Sequence, residues 1–371
     1  MGSTSRILQN WLLLGRAVGM EGRVAVQQAG PFADWLADNN IPHYRGRMPW
    51  PDRWRPLQSV WPAWRLARWA RQQRVDVLHC NEHDVYPFAV MLRRLLKIPL
   101  VCHVRFAIER GFSQWAFGSP ARLPDALLWT SEQQRSDCAD AVVGIVPDER
   151  QHLVRLGVDL KTFGHRAGER DATRRAWGVT PDQIVLGTAS ALRPIKRIHE
   201  FIQLVEQLAA QHASVVGLIA GPSPAGNEAY LEQLRKQIAA SGLGARLQWL
   251  KRVDPIEPFY HACDIFVSTS EYETFGNSVC EAMACRRPVA AYRGGSVHEV
   301  VGNAGCIVET GDLDELCKVV EKLVVDPQLR HSLGERARQR VEQQFNPAQS
   351  LQQVLEIHQQ LREQALTAER V

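Results

Sequence analysis

No cysteine pair in this chain has Cys-x-x-Cys spacing, and no apolar run approaches the roughly 18–20 residues that span a bilayer. The net charge is only +4. Each absence excludes something. Cys80, Cys102, Cys138, Cys263, Cys280, Cys285, Cys306 and Cys317 are scattered, several of them inside apolar runs. That argues against a zinc cluster and for buried free thiols in a reducing compartment. The first apolar stretch, Trp11 to Gly15, stops at Arg16 and is too short for the core of a secretion signal. The expected location is therefore the cytoplasm. The small net charge gives no ground for a nucleic-acid partner.

What is present is an ordinary globular composition, 45% hydrophobic and 23% charged over 371 residues, enough for two domains. Charge is concentrated locally: eight arginines and one acid, Asp52, lie between Arg45 and Arg74. Trp50, Trp54, Trp61, Trp64 and Trp69 are interleaved with them. Either a helix packs these rings inward, or they form a patch against an anionic membrane surface.

Strand-like and helix-like segments alternate, which argues for parallel sheets covered by helices on both faces. In the first half, 24–27, 75–80, 100–104 and 141–146 read as strands, with helical patterns at 61–73, 86–96 and 148–156. The polar, glycine-containing stretch 157–182 reads as a junction. The second half is more regular: strands at 184–189, 215–221, 247–250, 264–269, 288–291 and 307–308, with helices at 197–211 and 228–240. The tail, 347–365, is one long polar helix with Leu351, Val354, Ile357, His358 and Leu361 near 3–4 spacing. The expected domains are 1–165, 166–346 and a closing helix at 347–371.

The densest chemical signal runs from Ser268 to Glu281, STSEYETFGNSVCE. A strand ends, the chain turns at Gly276-Asn277, and a helix opens. Such a turn presents free backbone N–H groups and a positive helix end, a ready phosphate site. Glu273 and Glu281 are too far apart to form a catalytic dyad, but they are placed to reach two parts of one extended ligand.

This segment resembles the Glu-x7-Glu pattern of retaining GT-B glycosyltransferases of family 4, the glycosyl transferases group 1. The similarity continues through Asp264–Ser268, Glu281–Cys285, Arg287-Pro288-Val289, Gly294-Gly295, His298–Val301, Gly311-Asp312 and the stretch 336–345. It spans 183–346 and extends more weakly over 75–165. The fold it implies is α/β: two doubly wound Rossmann-like domains facing across a cleft, with the last helix packing back toward the first.

The resemblance implies roles residue by residue. Glu281 would hold the ribose hydroxyls and Glu273 the hydroxyls of the donor sugar. Thr274, Phe275, Gly276 and Asn277 would line sugar and diphosphate. Lys196 matches the phosphate lysine. The arginine usual five residues before it is replaced by Ala191, so Arg193 is the expected second cation. Gly221 would lie beside the nucleotide. Arg252 and Val253 would lie beside the base, although Lys251 stands where glycine is usual. His103, at a strand end of the first half, is the expected histidine near the reacting sugar, with His79, Glu82 and His83 as weaker candidates for the cleft wall.

Two features of the first half depart from the pattern. The short first strand and Gly-Gly loop are lacking ahead of the opening helix, and no Asn-Gly-Val-Asp stretch precedes Gly157-Val158-Asp159. Both fit a shortened or divergent acceptor half.

The expected activity is metal-independent, retaining transfer of a hexosyl or N-acetylhexosaminyl group without a cofactor. The donor would be a nucleotide-diphosphate sugar, UDP ahead of GDP. The acceptor would be a glycan, lipid or other hydroxyl compound in cell-envelope polysaccharide assembly, with peripheral contact at the inner membrane face. A nucleotide-sugar epimerase of GT-B type and a non-catalytic nucleotide-sugar binder remain alternatives.

Overall fold

The computed structural model describes residues 3–52, 54–55, 57–164 and 168–368. The chain forms two units, Met1–Gly157 with Pro347–Val371, and Val158–Asn346.

In the first unit, β1 (Val24–Val26) pairs in parallel with β2 (His43–Arg45) as a separate two-stranded sheet. Four further parallel strands lie side by side in chain order: β3 (Leu78–Cys80), β4 (Leu100–His103), β5 (Ala126–Trp129) and β6 (Gln151–Leu153). Leu100, Cys102, Leu127 and Trp129 carry its core, with Tyr86 and Phe117 packed on them from the helices. Among the described residues no strand joins β1 to β3. Residues of both strands, with the helix Ser3–Ala17 and the last helix, instead border a cavity of about 1290 Å³.

Two sequence expectations fail here. Residues 141–146 are not a strand: Ala139–Val142 is a short helix, and Val143 after it is 60% exposed. The place beside β4 belongs to Ala126–Trp129, anchored by the Asp125 carboxylate, which accepts the Leu100 N–H at 2.8 Å. An apolar run this short has no period to separate strand from helix. Nor is 148–156 a helix. A single 3-10 turn, Asp148–Arg150, leads into β6, and the Val154 N–H donates to the Trp129 carbonyl at 2.8 Å.

The unit boundary falls at Gly157–Val158 rather than at 165. The Val158 N–H donates to the Phe345 carbonyl at 3.0 Å, and Phe163 meets Tyr260 edge to face at 5.9 Å, so both belong to the second unit. The polar stretch read as a junction also contains a helix, Glu169–Ala176. Its Arg170 and Arg174 both pair with Asp264, whose carboxylate also accepts the Val185 N–H at 2.7 Å. One carboxylate thus ties this helix to the starts of two strands.

The second unit is a six-stranded parallel sheet in the order β12-β11-β10-β7-β8-β9. Its strands are β7 (Ile184–Ala189), β8 (Val215–Ala220), β9 (Leu247–Trp249), β10 (Ile265–Ser268), β11 (Val289–Tyr292) and β12 (Cys306–Val308). Strands β8, β10 and β11 are buried at every position, and β7 at all but Ile184. Burial on both faces explains why they read as continuous apolar runs instead of alternating ones. From β7 the chain winds outward through β8 and β9, then returns to β10 on the other side.

The last helix, Pro347–Ala368, belongs to the first unit and buries Leu351, Val354 and Ile357. His79 Nδ1 lies 3.0 Å from His358 Nε2, and Arg362 pairs with Asp76 at 2.9 Å. Burial, then neighbouring charge, holds His79 and His103 well below the usual histidine range. Burial pushes His358 down to about 4. A base depressed in the folded state contributes stability that is lost on acidification, because below about pH 6.5 the unfolded chain takes up a proton that the folded chain refuses. Lowering the pH from 7 to 5 is expected to cost about 2 kcal/mol through His358 alone. Melting curves across that range, with His358→Leu as comparison, check this. The variant should lose less stability on acidification, and equal losses would contradict it.

Candidate functional site

Strands β7 and β10 are neighbours, yet the chain leaves them toward opposite sides of the sheet. In open parallel sheets such a switch point leaves a crevice at the carboxyl ends of the strands. Two loops rise there: 190–197 after β7 and 269–276 after β10.

Their tips meet. Lys196 Nζ lies 2.6 Å from Glu273 Oε1, and both side chains are 17% exposed. The Ser270 hydroxyl donates to the same carboxylate oxygen at 2.9 Å. Backbone contacts lock the loops together. The Thr269 hydroxyl donates to the Lys196 carbonyl at 3.0 Å, and the Glu271 N–H donates to the Ile195 carbonyl at 2.9 Å. The cation and the carboxylate, 77 positions apart in the chain, are therefore held as one rigid unit beside solvent.

Thr274 and Phe275 lead into Gly276, which has φ 92° and caps the helix Asn277–Ala284. Only glycine takes that left-handed geometry without cost. The first turn of a helix leaves N–H groups without partners inside the helix and carries the positive end of its dipole. Glu281 lies on the same helix, 5% exposed, with the Tyr260 hydroxyl donating to its Oε2 at 2.6 Å. Tyr260 was not singled out from sequence: it lies 21 positions earlier on another helix, and no local pattern marks it.

Gly294, Gly295 and Ser296 back the Glu273 loop. A Cβ on Gly294 would sit 2.2 Å from the Ser270 carbonyl oxygen, and one on Gly295 would sit 2.4 Å from that of Glu273. The Ser296 N–H donates to the Glu273 carbonyl at 2.8 Å, and its hydroxyl to that of Thr274 at 2.9 Å. Ser296 is thus a positioning residue that sequence reasoning missed. The adjacent Gly-Gly pair was its only signal.

Of the remaining expected residues, Gly221, Arg252 and Val253 follow β8 and β9, on the other side of β7, while Arg193 shares the loop of Lys196. Gly221 ends β8, with φ 151° and its N–H donating to the Lys251 carbonyl at 2.7 Å. Arg193 is exposed at the start of the 3-10 turn Pro194–Lys196. Arg252 is exposed and pairs with Asp254 at 2.9 Å, while Val253 is half-buried. Lys251 has φ 57°, the left-handed region, which accounts physically for a preference for glycine there.

His103 belongs to the first unit and is fully buried. Trp11 stacks on its ring at 5.8 Å, and among the described residues neither ring nitrogen has a hydrogen-bond partner. Arg105 lies over the other part of this cluster, 5.6 Å from the Trp11 ring, and holds the Asn81 side chain at 2.8 Å. Burial lowers Arg105 to about 9. In this arrangement His103 is closed off from solvent, with Trp11 and His79 against its ring. Of the weaker candidates, His79 joins this cluster, Glu82 is half-buried, and His83 packs edge-on against Phe112 at 5.3 Å. Among the described residues no group of three or more His, Cys, Asp or Glu is placed to hold a metal ion.

Comparison with known proteins gives a consistent result. Residues 169–340 match the family described as glycosyl transferases group 1, and residues 3–162 match a glycosyl transferase 4-like domain. The chain is 26% identical to the lipopolysaccharide core biosynthesis mannosyltransferase LpcC of Rhizobium leguminosarum bv. viciae, over 79% of each chain. It is 27% identical to the N-acetyl-alpha-D-glucosaminyl L-malate synthase of Bacillus anthracis, over 76% of this chain and 74% of that one. Among solved structures, Anabaena Alr3699/HepE in complex with UDP-glucose superposes with a TM-score of 0.82 at 22% identity, covering 99% and 96% of the two chains. WaaG, a glycosyltransferase involved in lipopolysaccharide biosynthesis, superposes with a TM-score of 0.69 at 14% identity, covering 95% of each.

Proposed function

The chain belongs to family 4 of the GT-B glycosyltransferases, the glycosyl transferases group 1, and on that footing we propose that its second unit binds a nucleotide-diphosphate sugar at the switch point. The observation that carries this is the meeting of Lys196 and Glu273 at the carboxyl ends of β7 and β10, beside the Gly276 helix end.

On this reading the diphosphate lies against Lys196, Arg193 and the first-turn N–H groups of the helix Asn277–Ala284. Negative charge grows on the departing diphosphate as the glycosidic bond breaks. Fixed donors already in place stabilise it without reorganisation, each by about 3–4 kcal/mol. Glu273 then grips sugar hydroxyls while Glu281, oriented by Tyr260, takes the ribose. Thr274, Phe275 and Asn277 line the sugar side, and Gly221, Arg252 and Val253 the nucleotide side. Nothing in this scheme calls on a cofactor or a metal.

A UDP-sugar is the preferred donor, because Anabaena HepE, the same fold at closely matching length, was solved with UDP and with UDP-glucose. We read the reaction as transfer of a hexosyl or N-acetylhexosaminyl group with retention, a reading that family membership supports. The acceptor is a hydroxyl of a cell-envelope glycan or lipid-linked glycan, a reading supported by the lipopolysaccharide mannosyltransferase among the relatives. Work at the cytoplasmic face would suit such an acceptor. Among the described residues no helix is long and apolar enough to cross a membrane.

Incubation of the full chain with a panel of UDP- and GDP-sugars, with and without EDTA, tests this. The expected result is slow release of one nucleoside diphosphate, unaffected by EDTA and accelerated by an added glycan acceptor. Tight nucleotide binding without any turnover would move the assignment to a binding protein. Acceptor-independent conversion of one UDP-sugar into its epimer would move it to an epimerase.

A further inference from the structure

The helix Leu57–Gln72 has two apolar faces, and only one of them is used by the fold. Ser59, Ala63, Leu66, Ala67 and Ala70 are buried against the first unit. On the opposite face Leu57, Trp61 and Trp64 recur at helical spacing and stand in solvent, Leu57 78% exposed and Trp61 58%. Trp61 and Trp64 stack on each other at 5.3 Å, and Arg68 lies 6.0 Å over the Trp64 ring. Just ahead of the helix, Trp54 is 79% exposed. Of the five interleaved tryptophans, Trp69 turns toward the protein, against Tyr44 at 5.8 Å, and Trp50 packs on Trp115 at 5.0 Å and donates its indole N–H to the Asp84 carbonyl at 2.6 Å. Packing on the protein therefore accounts for two rings and leaves Trp54, Trp61 and Trp64 unexplained.

These exposed rings contribute nothing evident to folding. The helix already buries a complete face of small residues and leucine, and tryptophan forms helices less readily than the alanines beside it. Their neighbours are of one sign. Arg45, Arg47, Arg55, Arg65, Arg68, Arg71 and Arg74 are all exposed, against a single acid, Asp52. This stretch holds seven net positive charges where the whole chain holds four. Indole rings with apolar bodies and polar N–H tips, flanked by arginines, match the boundary between acyl chains and anionic headgroups.

We propose that this face, Trp54 to Arg71, is a docking surface for an anionic phospholipid bilayer, on which the helix Leu57–Gln72 lies parallel to the membrane plane. The rings enter the headgroup boundary and the arginines meet the lipid phosphates. The surface is separate from the donor site in the second unit and holds whether or not that site is assigned correctly.

The test is co-sedimentation of the full chain, without nucleotide, with vesicles of phosphatidylcholine alone and of phosphatidylcholine containing about 30 mol% phosphatidylglycerol. Binding is expected only to the anionic vesicles, with a blue shift of indole emission, and it should weaken as salt shortens the screening length. Trp54→Ala/Trp61→Ala/Trp64→Ala should lower the partition coefficient by on the order of tenfold or more. Arg65→Gln/Arg68→Gln should do the same at unchanged melting temperature, which covers the case of a poorly folding tryptophan variant. Equal binding to neutral and anionic vesicles, or wild-type binding by both variants, overturns the proposal. So does a wild-type chain that ignores vesicles and changes its oligomeric state when the tryptophans are removed, since a protein would then cover the face.

Discussion

Lys196→Ala is expected to lower the rate constant for sugar transfer by about 10²–10³ while leaving the fold in place. The backbone of this residue is held independently of its side chain. Its N–H donates to the Arg193 carbonyl at 2.9 Å, and its carbonyl accepts from Thr269 at 3.0 Å. Truncation therefore removes a charge without releasing the loop. Glu273 loses its cation but keeps the Ser270 hydroxyl at 2.9 Å. Breaking a pair whose members are both 17% exposed should cost about 1 kcal/mol, a few degrees of melting temperature. The large loss thus belongs to the reaction and the small one to the fold. Steady-state kinetics beside a melting curve separate them. A turnover number within about threefold of wild type would remove Lys196 from the mechanism.

Gly221→Ala is expected to be among the most disruptive single changes in the second unit. A Cβ there would fall 1.7 Å from the carbonyl oxygen of Ser190, a backbone atom with nowhere to go. Ser190 is itself fixed, its N–H donating to the Ala220 carbonyl at 3.0 Å. Gly221 cannot retreat either. Its N–H is held by the Lys251 carbonyl at 2.7 Å, and its own carbonyl accepts from the Trp249 indole at 3.0 Å. The positive φ adds strain for any side chain. Together these should cost about 3–5 kcal/mol, a fall of about 10 °C in melting temperature for a unit of this size. Because Ser190 begins the loop that carries Lys196, the protein that still folds should also transfer sugar poorly. A melting temperature within about 2 °C of wild type would show that the β7 and β8 ends are less tightly packed than described.

The second unit was legible because its strands are buried on both faces. Ile184–Ala189 and Val215–Ala220 are continuous apolar runs closed by glycine, proline or a polar turn, and a strand is what such a run forms when helices cover both sides. The first unit was less legible for the same physical reason turned around. Its strands are three or four residues long, and 141–146 is as apolar as the true strand Ala126–Trp129. What decides between them is a long-range contact, Asp125 against Leu100, which no local pattern carries.

The candidate site divides in the same way. Glu273, Gly276 and Glu281 share one segment, so its local strand–turn–helix pattern together with its family resemblance marked them. Lys196 could be named from sequence, but its 2.6 Å contact with Glu273 could not. Tyr260 and Ser296 act on that segment from elsewhere in the chain, and only the fold brings them to it. His103 is the opposite case: a strand-end histidine was easy to pick out, but its seal under Trp11 depends on how the helix Ser3–Ala17 packs.

The central claim is that the switch point between β7 and β10 holds a nucleoside diphosphate. Thermal unfolding of the full chain in rising UDP, beside the same titration of Glu281→Ala, tests it most directly. UDP at 100 times its dissociation constant should stabilise the wild-type chain by about 2.7 kcal/mol, and the variant should need far more ligand for the same shift. No stabilisation of the wild-type chain by UDP or GDP, or equal stabilisation of the two proteins, would contradict the account.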